Sequence, residues 1–387
     1  MERSSPSSGA DSRMSSNQEA RETIARIFAD LRATDHTPEL ETAARLVELD
    51  IEAPLKTSLA NFLAHHYFKT KDYERAHRYC ETWLACDPAN QTAAGSLVSV
   101  LARLRRWDDL VRFVEQQLSQ GRSSPELLSG MCNALGHLGR LAEAQTYGAL
   151  SLGAKDASAH AQPHDLSAVQ VPPFDSHEPK KNIIAFSLFG SNPRYAKGAH
   201  ANVVAARYVY PGWTCRFYVD EAVAKSVVDQ LGAEGAQVFE VGGLPHAKFG
   251  TFWRFLVADD AAVERYVVRD CDAVVNVRER VAVDEWIESG RHFHLMRDAF
   301  THTELVLAGL WGGVRGALPP IGPLMRRYVD DRIHDRTLDQ RFLREMLWPT
   351  IRQSVLVHDS QFAFGERRDF PKVGRLLPGQ TVGQAVF

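Results

Sequence analysis

Arg265-Tyr-Val-Val-Arg-Asp-Cys-Asp-Ala-Val-Val-Asn-Val277 is the stretch from which we infer the fold of the second half of the chain. Residues 266–269 have the β-branched and aromatic character of a buried strand, and they lead directly into Asp270-Cys271-Asp272. Residues i and i+2 of an extended chain face the same side, so the two carboxylates are expected to point to one place. Oxygen ligands of this kind suit Mg²⁺ or Mn²⁺. An isolated Asp-x-Asp can equally be a turn, because aspartate is a common turn residue.

The composition is that of an ordinary globular protein. A length of 387 residues predicts two or three domains, and 44% hydrophobic and 24% charged residues are typical of soluble proteins. The net charge of −3 gives no reason to expect nucleic acid as a partner. Five cysteines without a Cys-x-x-Cys pair indicate reduced thiols. No apolar run approaches the ~18 residues of a membrane span, so we expect a cytoplasmic protein.

The first half of the chain predicts helices. Residues 1–18 are rich in Ser, Pro, Gly and Asn and predict a disordered tail. Residues 19–158 show apolar stripes at helical spacing, and Tyr73, Trp107 and Leu141 recur 34 residues apart, each after a turn. This is the period of tetratricopeptide repeats, so we predict a tetratricopeptide-like helical solenoid. The second repeat departs most from the consensus, with Leu110 where a small residue is expected. The solenoid could bind a partner or serve as a structural arm.

Proline-rich residues 159–181 predict a linker or an extended segment that follows the surface. From residue 182 onward, strand patterns alternate with helical ones: strands at residues 183–189, 214–220 and 237–241 precede the strand before Asp270, with a helix expected around residues 251–261. This alternation predicts an α/β domain with a mostly parallel sheet over residues 182–387. Because no Gly-x-Gly-x-x-Gly follows the first strand and no Walker loop occurs, ordinary dinucleotide and P-loop sites are not indicated.

The order of motifs resembles a GT-A glycosyltransferase domain with a Rossmann-like mixed sheet. The motifs that carry the resemblance are Trp253-Arg254-Phe255, Arg269-Asp270-Cys271-Asp272, His294-Leu-Met-Arg-Asp298, Ala308-Gly-Leu-Trp-Gly-Gly313, Asp339-Gln340-Arg-Phe-Leu343 and His358-Asp359-Ser360. The resemblance implies a metal-dependent hexosyltransferase-like enzyme that uses a nucleotide-diphosphate sugar as donor. The acceptor would be a glycan, a protein or a small molecule, and the repeat arm could present it.

The resemblance also implies a cation site and a donor site. Asp270, Asp272 and His358 would hold Mn²⁺ or Mg²⁺ against the diphosphate, although His358 could instead be a strand-end histidine bonded to a backbone carbonyl. Arg254 would approach the diphosphate or the two carboxylates, unless it is an ordinary helix residue whose charge reaches solvent. The first strand and the loop after it would hold the nucleotide through Ser187, Gly190 and Tyr195.

Three residues would lie near the reacting sugar: Asp298, Asp339 and Gln340. Asp298 ends a strand-like run that contains His292 and His294, which we interpret as strand positions without a ligand role; His302 is a candidate hydrogen-bonding residue. Asp339 and Gln340 have a second explanation, because Thr337-Leu-Asp-Gln340 fits a capping box. The glycines of Trp311-Gly-Gly313 would allow a ligand to approach the backbone, or form a structural turn.

Two other functions are compatible with the sequence. The first is a non-catalytic scaffold that binds partners or sugar nucleotides, and the second is a nucleotidyltransferase or metal-dependent phosphoesterase that uses the same carboxylates. Phosphoesterases usually need a denser cluster of carboxylates and histidines around two metals, which the sequence does not show. The sequence leaves the donor, the acceptor and the stereochemical outcome open.

Overall fold

The computed structural model describes residues 8–29, 37–330, 337–373 and 380–386. The chain forms two compact units, Met1–Tyr147 and Gly148–Phe387. The division falls inside the helix Leu141–Ala157, whereas the boundary expected from the sequence follows that helix at residue 158.

The first unit is helical. Its helices are α1 (Ser8–Ala29), α2 (Thr37–Val47), α3 (Ala53–Lys69), α4 (Tyr73–Cys86), α5 (Gln91–Arg103), α6 (Trp107–Ser119), α7 (Pro125–His137) and α8 (Leu141–Ala157). Only the first part of α8 belongs to this unit. The predicted disordered tail is wrong for residues 8–18, which belong to α1, and its first seven residues lie outside the described part. The helix is anchored because Ala20 is fully buried and Asn17 accepts a hydrogen bond from the Glu52 amide at 2.9 Å.

The 34-residue repeat is confirmed by the helix starts. Three helices, α4, α6 and α8, begin at Tyr73, Trp107 and Leu141, the three positions that the sequence predicts. The turns before them also repeat, because residues 71, 105 and 139 all have positive φ angles of 65°, 55° and 76°. Left-handed residues are common where a helix ends. The first unit therefore consists of stacked helix pairs, as expected for a tetratricopeptide-like arm.

Residues 159–181 belong to the second unit and contain a single short 3-10 helix, Pro179–Lys181. Arg265 donates a hydrogen bond to the Pro172 carbonyl at 2.6 Å, and the His292 ring lies 2.9 Å from the Val169 carbonyl oxygen. These contacts describe an extended segment that follows the surface, one of the two alternatives expected from the sequence.

The second unit contains a seven-stranded mixed sheet with the order β3-β2-β1-β4-β6-β5-β7. The strands are β1 (Asn182–Leu188), β2 (Thr214–Val219), β3 (Gln237–Glu240), β4 (Arg265–Arg269), β5 (Phe293–Arg297), β6 (Leu310–Val314) and β7 (Val355–Asp359). Strand β6 is antiparallel to its neighbours β4 and β5, and all other pairs are parallel. The α/β prediction is confirmed, with one antiparallel strand in the mixed sheet.

The helices of this unit are α9 (Pro193–Val209), α10 (Lys225–Ala233), α11 (His246–Phe249), α12 (Val277–Ser289), α13 (Ile321–Asp330), α14 (Leu338–Phe342) and α15 (Trp348–Ile351). The helix expected around residues 251–261 is instead a 3-10 helix, Gly250–Asp259, and a π-helical turn, Leu343–Leu347, follows α14. No helix in the described ranges has both the length and the apolar character needed to cross a membrane.

The sheet brings strand ends from distant parts of the sequence to one edge. The carboxyl ends of the six mutually parallel strands meet there, together with the first residue of β6, Leu310. Asp220, Asp270 and Asp298 directly follow β2, β4 and β5, so they all lie along this edge. Below it, the tryptophans 253, 286 and 311 are fully buried and form part of the core. In open α/β sheets this edge is where ligands usually bind.

Candidate functional site

The acidic motif lies at the carboxyl end of β4, and each of its carboxylates is paired with an arginine. Asp270 Oδ1 accepts a hydrogen bond from Arg254 in the 3-10 helix, and Asp272 Oδ2 lies 2.6 Å from Nη2 of Arg194, in the first turn of α9. The Asp270 side chain is 47% exposed and that of Asp272 is 19% exposed. The two charges are therefore compensated by arginines and partly open to solvent.

Arg254 is buried and joins four elements. Its backbone amide donates to Ser187 Oγ in β1 at 3.0 Å, and its Nη1 donates to the Arg269 carbonyl at 3.2 Å. Its Nη2 donates to Asp339 Oδ2 at 3.1 Å. Burial lowers the pKa of Arg254, but the charges of Asp270 and Asp339 outweigh this, and the net effect is a raised pKa. Arg254 is thus a fixed cation beneath the acidic motif; of the two motif carboxylates that it was expected to approach, it contacts Asp270, whereas Asp272 is paired with Arg194.

Asp339 belongs to this network and is buried at the start of α14. Burial, reinforced by the charge of Asp270, raises its pKa to about 6, although Arg254 opposes the shift. Its Oδ1 accepts from the Gln340 amide at 2.9 Å, and the Gln340 side chain is half-buried. The Thr337 side chain makes no hydrogen bond that caps α14, so the capping-box interpretation is wrong. The helix start instead presents Asp339 to Arg254.

Helix α9 packs directly against the backbone of the motif. A Cβ at Gly198 would lie 2.1 Å from the Cys271 carbonyl oxygen, so only glycine fits there. One turn later the buried Asn202 donates to the carbonyls of Cys271 and Ala273 at 3.3 and 3.0 Å, and accepts from the Val275 amide at 3.0 Å. Neither residue was predicted from the sequence. A glycine inside a helix was the available signal, since glycine is unfavourable there without a packing reason.

The middle residue of the motif, Cys271, has a structural role. Its thiol donates to the Tyr195 carbonyl at 3.4 Å, and burial raises the pKa of the thiol far above its usual range. A neutral thiol of this kind is a poor nucleophile or metal ligand.

A second glycine, immediately before β6, contacts the motif. A Cβ at Gly309 would lie 2.1 Å from Asp270 Oδ2. The glycines at 312 and 313 have a different function, because a Cβ at Gly312 would lie 2.6 Å from the Tyr266 backbone oxygen, and one at Gly313 would lie 2.6 Å from the Tyr266 hydroxyl oxygen. The close backbone approach expected of Trp311-Gly-Gly313 is therefore an approach of β6 to β4, whereas Gly309 borders the site.

The loop after β1 lies next to the motif in the sheet. Gly190 has a φ of 70°, and its amide lies 3.4 Å from Oδ1 of Asp220, a residue that the sequence analysis did not single out. Tyr195 is half-buried in α9, and the Arg194 guanidinium carbon lies 5.8 Å from the centre of its ring. The structure therefore places Ser187, Gly190 and Tyr195 on elements that border the Asp270 strand end.

His358 does not join the acidic pair. It is fully buried in β7, three strand spacings or roughly 14 Å across the sheet from β4. Its Nδ1 lies 2.8 Å from His294 Nε2, and its Nε2 lies 3.2 Å from Glu285 Oε2. Both ring nitrogens have partners away from the acidic pair, so this structure does not bring His358 to the place where Asp270 and Asp272 would hold a cation. His294 is a buried residue of β5, as the strand pattern predicts.

Asp298 is also engaged in the structure of the unit. Its Oδ1 accepts from Arg278 Nη2 at 2.9 Å, and its Oδ2 accepts from the Val382 amide at 3.1 Å. Its own amide donates to the His302 ring at 3.0 Å, and burial lowers the pKa of His302 to about 4. Asp298 is buried with both oxygens bonded, and the structure does not bring it together with Asp270, Asp272 and Arg254.

The residues that the structure brings together are thus Asp270, Asp272, Arg254, Asp339 and Ser187, with Arg194 added. Among the described side chains no three His, Cys, Asp or Glu groups could hold a metal ion. In the same part of the chain, no hydrogen bond reaches Asp270 Oδ2 or Asp272 Oδ1. Two such carboxylate oxygens fit Mg²⁺ or Mn²⁺, which commonly keeps water and takes substrate phosphates as further ligands.

A cavity of about 240 Å³ lies elsewhere in the unit, between α9 and β2, and is lined by Arg207, Trp213 and Cys215 among others. It contains none of the residues that the sequence predicts for the site.

No protein-family model and no curated protein matches the sequence. Solved structures that match this chain in part include an O-GlcNAc transferase mutant from Thermobaculum terrenum, at 15% identity and a TM-score of 0.40. The match covers 66% of this chain and 46% of the Thermobaculum chain, so this chain spans about half the length of that protein. Two MamA structures, MSR-1 and AMB-1, match 36% of this chain at 20% and 22% identity, each with a TM-score of 0.26. The two matches cover 76% and 77% of the MamA chains.

Proposed function

We propose that the second unit is a glycosyltransferase of the GT-A type, which transfers a sugar from a nucleotide-diphosphate donor. The observation that carries the proposal is the pair Asp270 and Asp272. Both lie at the carboxyl end of a central strand, both are partly exposed, and each keeps one oxygen without a hydrogen bond from the described residues. The mixed sheet and the neighbouring glycine at 309 support the proposal.

The two carboxylates would hold Mn²⁺ or Mg²⁺ through Asp270 Oδ2 and Asp272 Oδ1. When bound, such a cation supplies Lewis-acid stabilisation of the charge that develops on a departing diphosphate. His358 is excluded from this proposal because its ring nitrogens are occupied. The remaining coordination positions would be filled by water and by the donor itself.

The arginines of the site would serve the same leaving group. Arg194 is 40% exposed and can rotate from Asp272 to a diphosphate oxygen, since arginine recognises phosphate through its planar set of donors. Arg254 is buried and fixed by Asp339, so we assign it and Asp339 a positioning role for Asp270. Gln340, half-buried next to Asp339, is the proposed contact to the sugar. Ser187 at the end of β1, Gly190 in the loop after it and Tyr195 in the first turn of α9 would bind the nucleotide.

The acceptor is proposed to be a glycan or a protein presented by the tetratricopeptide-like arm. All five cysteines are free thiols, which supports the proposal of a cytoplasmic protein. Activity on a small acceptor should then need only the second unit, whereas activity on a protein acceptor should need the full chain.

The experiment is a screen of nucleotide-diphosphate sugars against the full chain with Mn²⁺, with Mg²⁺ and with chelator. We expect one donor to raise the melting temperature by mass action, and mass spectrometry to show free sugar or a glycosylated acceptor together with the nucleoside diphosphate. Transfer of the nucleotide portion would assign a nucleotidyltransferase instead. Stabilisation by a donor without turnover of any would indicate the binding scaffold.

A further inference from the structure

We propose that the C-terminal segment, residues 380–386, positions Asp272 by holding the turn of the acidic motif. The role in cation binding rests on the proposed function, whereas the contacts of residues 380–386 with the motif do not depend on it. The segment crosses the sheet edge from the end of β5 to the end of β4, so it links two strand ends that the sheet order separates by β6.

The contact with the motif is made by backbone atoms. The Val386 amide donates to the Asp272 carbonyl at 2.9 Å, and Ala385 forms an antiparallel bridge with Ala273. The Val386 side chain is 61% exposed, so its packing contributes little and the hydrogen bond is the main contact at this position.

The other end of the segment is anchored in the core. Val382 is fully buried in a cluster with Met296 and Leu310, and its amide donates to Asp298 Oδ2 at 3.1 Å. Gly383 follows with a φ of 77°, and a Cβ there would lie 2.8 Å from the Leu310 side chain. Glycine at this position lets the chain turn closely over β6 and continue to the motif. This anchoring explains why Asp298 is buried and fully bonded.

The turn is thus held from two sides. Asn202 in α9 bonds the Cys271 and Ala273 carbonyls and the Val275 amide, and the C-terminal segment bonds the Asp272 carbonyl. A carboxylate ligand is useful only if its own backbone is fixed, and outer partners of metal ligands typically affect metal affinity by about 10- to 100-fold. The segment would therefore act as such an outer partner, although it contacts no substrate.

The test compares two variants of the full chain at one position. Val386→Pro removes the amide donor, and it suits an extended preceding residue such as Ala385. Val386→Ala keeps the donor and serves as the matched control. We expect Val386→Pro, without metal, to speed hydrogen–deuterium exchange at the amides of Ala273 and Val275, and to weaken Mn²⁺ binding measured by titration calorimetry by about 10-fold or more. Val386→Ala should behave as the unaltered protein in both measurements.

A chain that ends at Gly383 provides a second variant, because it retains the buried Val382 and loses the contact with the motif together with two hydrogen bonds between the exposed Gln384 and Thr381. It should keep its melting temperature and reproduce the faster exchange. Unchanged exchange at Ala273 and Val275 in both Val386→Pro and the shortened chain would overturn the positioning role. If the unaltered protein binds no Mn²⁺, the cation site of the proposed function fails, while the exchange experiment in metal-free protein still decides the role of the segment.

Discussion

Arg194 places its Nη2 atom 2.6 Å from Oδ2 of Asp272, and this pair joins the first turn of α9 to the turn after β4. Arg254 makes the equivalent contact with Asp270 from the 3-10 helix. Two carboxylates placed close together repel each other, and each arginine offsets one of the charges. The two arginines differ in freedom, because the Arg194 side chain is 40% exposed and that of Arg254 only 6%. Only Arg194 can therefore leave its carboxylate, Asp272, and bind a substrate phosphate instead.

The first prediction follows from that exchange. In Arg194→Met the cation no longer competes with a guanidinium for Asp272, so binding of Mn²⁺ alone should become a few-fold tighter, the scale of a partly exposed ion pair. Binding of a nucleoside diphosphate in the presence of Mn²⁺ should weaken about tenfold, which corresponds to about 1.4 kcal/mol. Titration calorimetry measures both. Arg207→Met, on the same helix and bonded to the Glu234 carbonyl, is the control; if both affinities fall together in Arg194→Met, the exchange is disproved.

The second prediction concerns the buried cation. Arg254→Met leaves Asp270 and the buried Asp339 without their shared partner, so the free energy of unfolding should drop by about 3–5 kcal/mol. The double variant Arg254→Met/Asp339→Asn should recover part of this loss, since no buried carboxylate then lacks a cation. Urea unfolding measures both values. A double variant less stable than Arg254→Met alone would show that Asp339 stabilises the unit by contacts other than Arg254.

The parts of the fold that could be predicted depend on local pattern. The starts of α4, α6 and α8 follow from a 34-residue period, and β4 with its acidic end follows from a short run of β-branched residues before Asp270. In each case the signal and the structure lie within a few residues of each other. The tail failed for the converse reason: a polar composition predicts disorder, but Asn17 bonds Glu52, 35 residues along the chain, and Ala20 is fully buried, and both features anchor α1.

Which residues meet at the site depends on strand pairs and hydrogen bonds between distant parts of the chain, and the sequence does not show these. His358 follows a strand pattern and suits a metal, but the parallel pairing of β5 with β7 places His294 beside it and occupies its ring. Asn202 and Cys271 are 69 residues apart, and nothing near either one indicates their hydrogen bond. Asp298 looked like a strand-end carboxylate beside a sugar, yet a C-terminal amide binds it. Strand order, which places these groups together, is a property of the whole sheet.

The third prediction concerns pH. Burial lowers the pKa of His294 well below its usual value, with His358 and Arg269 adding to the shift, and burial also lowers the pKa of His358, opposed by Glu285. At these two histidines the unfolded chain therefore binds more protons below about pH 6.5, and their contribution to the free energy of unfolding should fall as the pH decreases from there. The pKa of Asp339, raised to about 6, acts in the opposite direction and is the same in the variant and the unaltered protein.

In His294→Gln an uncharged amide can still donate to His358, so the loss of stability between pH 6.5 and 5 should be shallower than in the unaltered protein. Urea unfolding at three pH values measures the slope. The window stops at pH 5 because Glu285 contributes below it. Burial raises the pKa of Glu285, but Arg368 and His358 outweigh this effect and the pKa is lowered. An identical slope in the variant would mean that other groups cause the acid sensitivity.

The fourth prediction concerns where the second unit can be cut from the chain. A start near residue 162, which the proline-rich stretch suggests, removes two residues of α8 that bond within this unit. Lys155 donates to the Thr303 carbonyl at 2.7 Å, and Asp156 accepts from Trp348 Nε1 at 2.6 Å. Gly148 also packs on the Phe362 ring, where a Cβ would lie 2.1 Å away.

A chain that begins at Gly148 should therefore unfold cooperatively and more stably than one that begins at 162, which leaves a buried tryptophan donor without its partner. Thermal melts of the two chains make the comparison, and donor hydrolysis by the longer one tests whether the helical arm is dispensable. Equal melting temperatures would show that the end of α8 does not contribute to this unit.

The last prediction separates chemistry from structure at the acidic pair. Asp270→Asn and Asp272→Asn each replace an anionic ligand by a neutral amide of the same shape. Turnover of the donor with excess Mn²⁺ should fall by several orders of magnitude, if stabilisation of the leaving diphosphate contributes several kcal/mol at about 1.4 kcal/mol per tenfold. The metal-free stability should respond differently at the two positions. Asp272→Asn should change it by less than about 1 kcal/mol, because the exposed Arg194 can be solvated by water.

Asp270→Asn should cost more than Asp272→Asn, because the buried Arg254 is then left with Asp339 as its remaining carboxylate. The control is Asp229→Asn, which removes an exposed aspartate paired with Lys225 on α10 and should alter neither turnover nor stability. Turnover and metal-free melting temperature are measured on the same preparations. If both motif variants melt well below the unaltered protein and keep their turnover, the pair is a structural turn. The glycosyltransferase mechanism would then lose the observation on which it rests, because no other carboxylate among the residues described at this edge is both exposed and adjacent to Arg254.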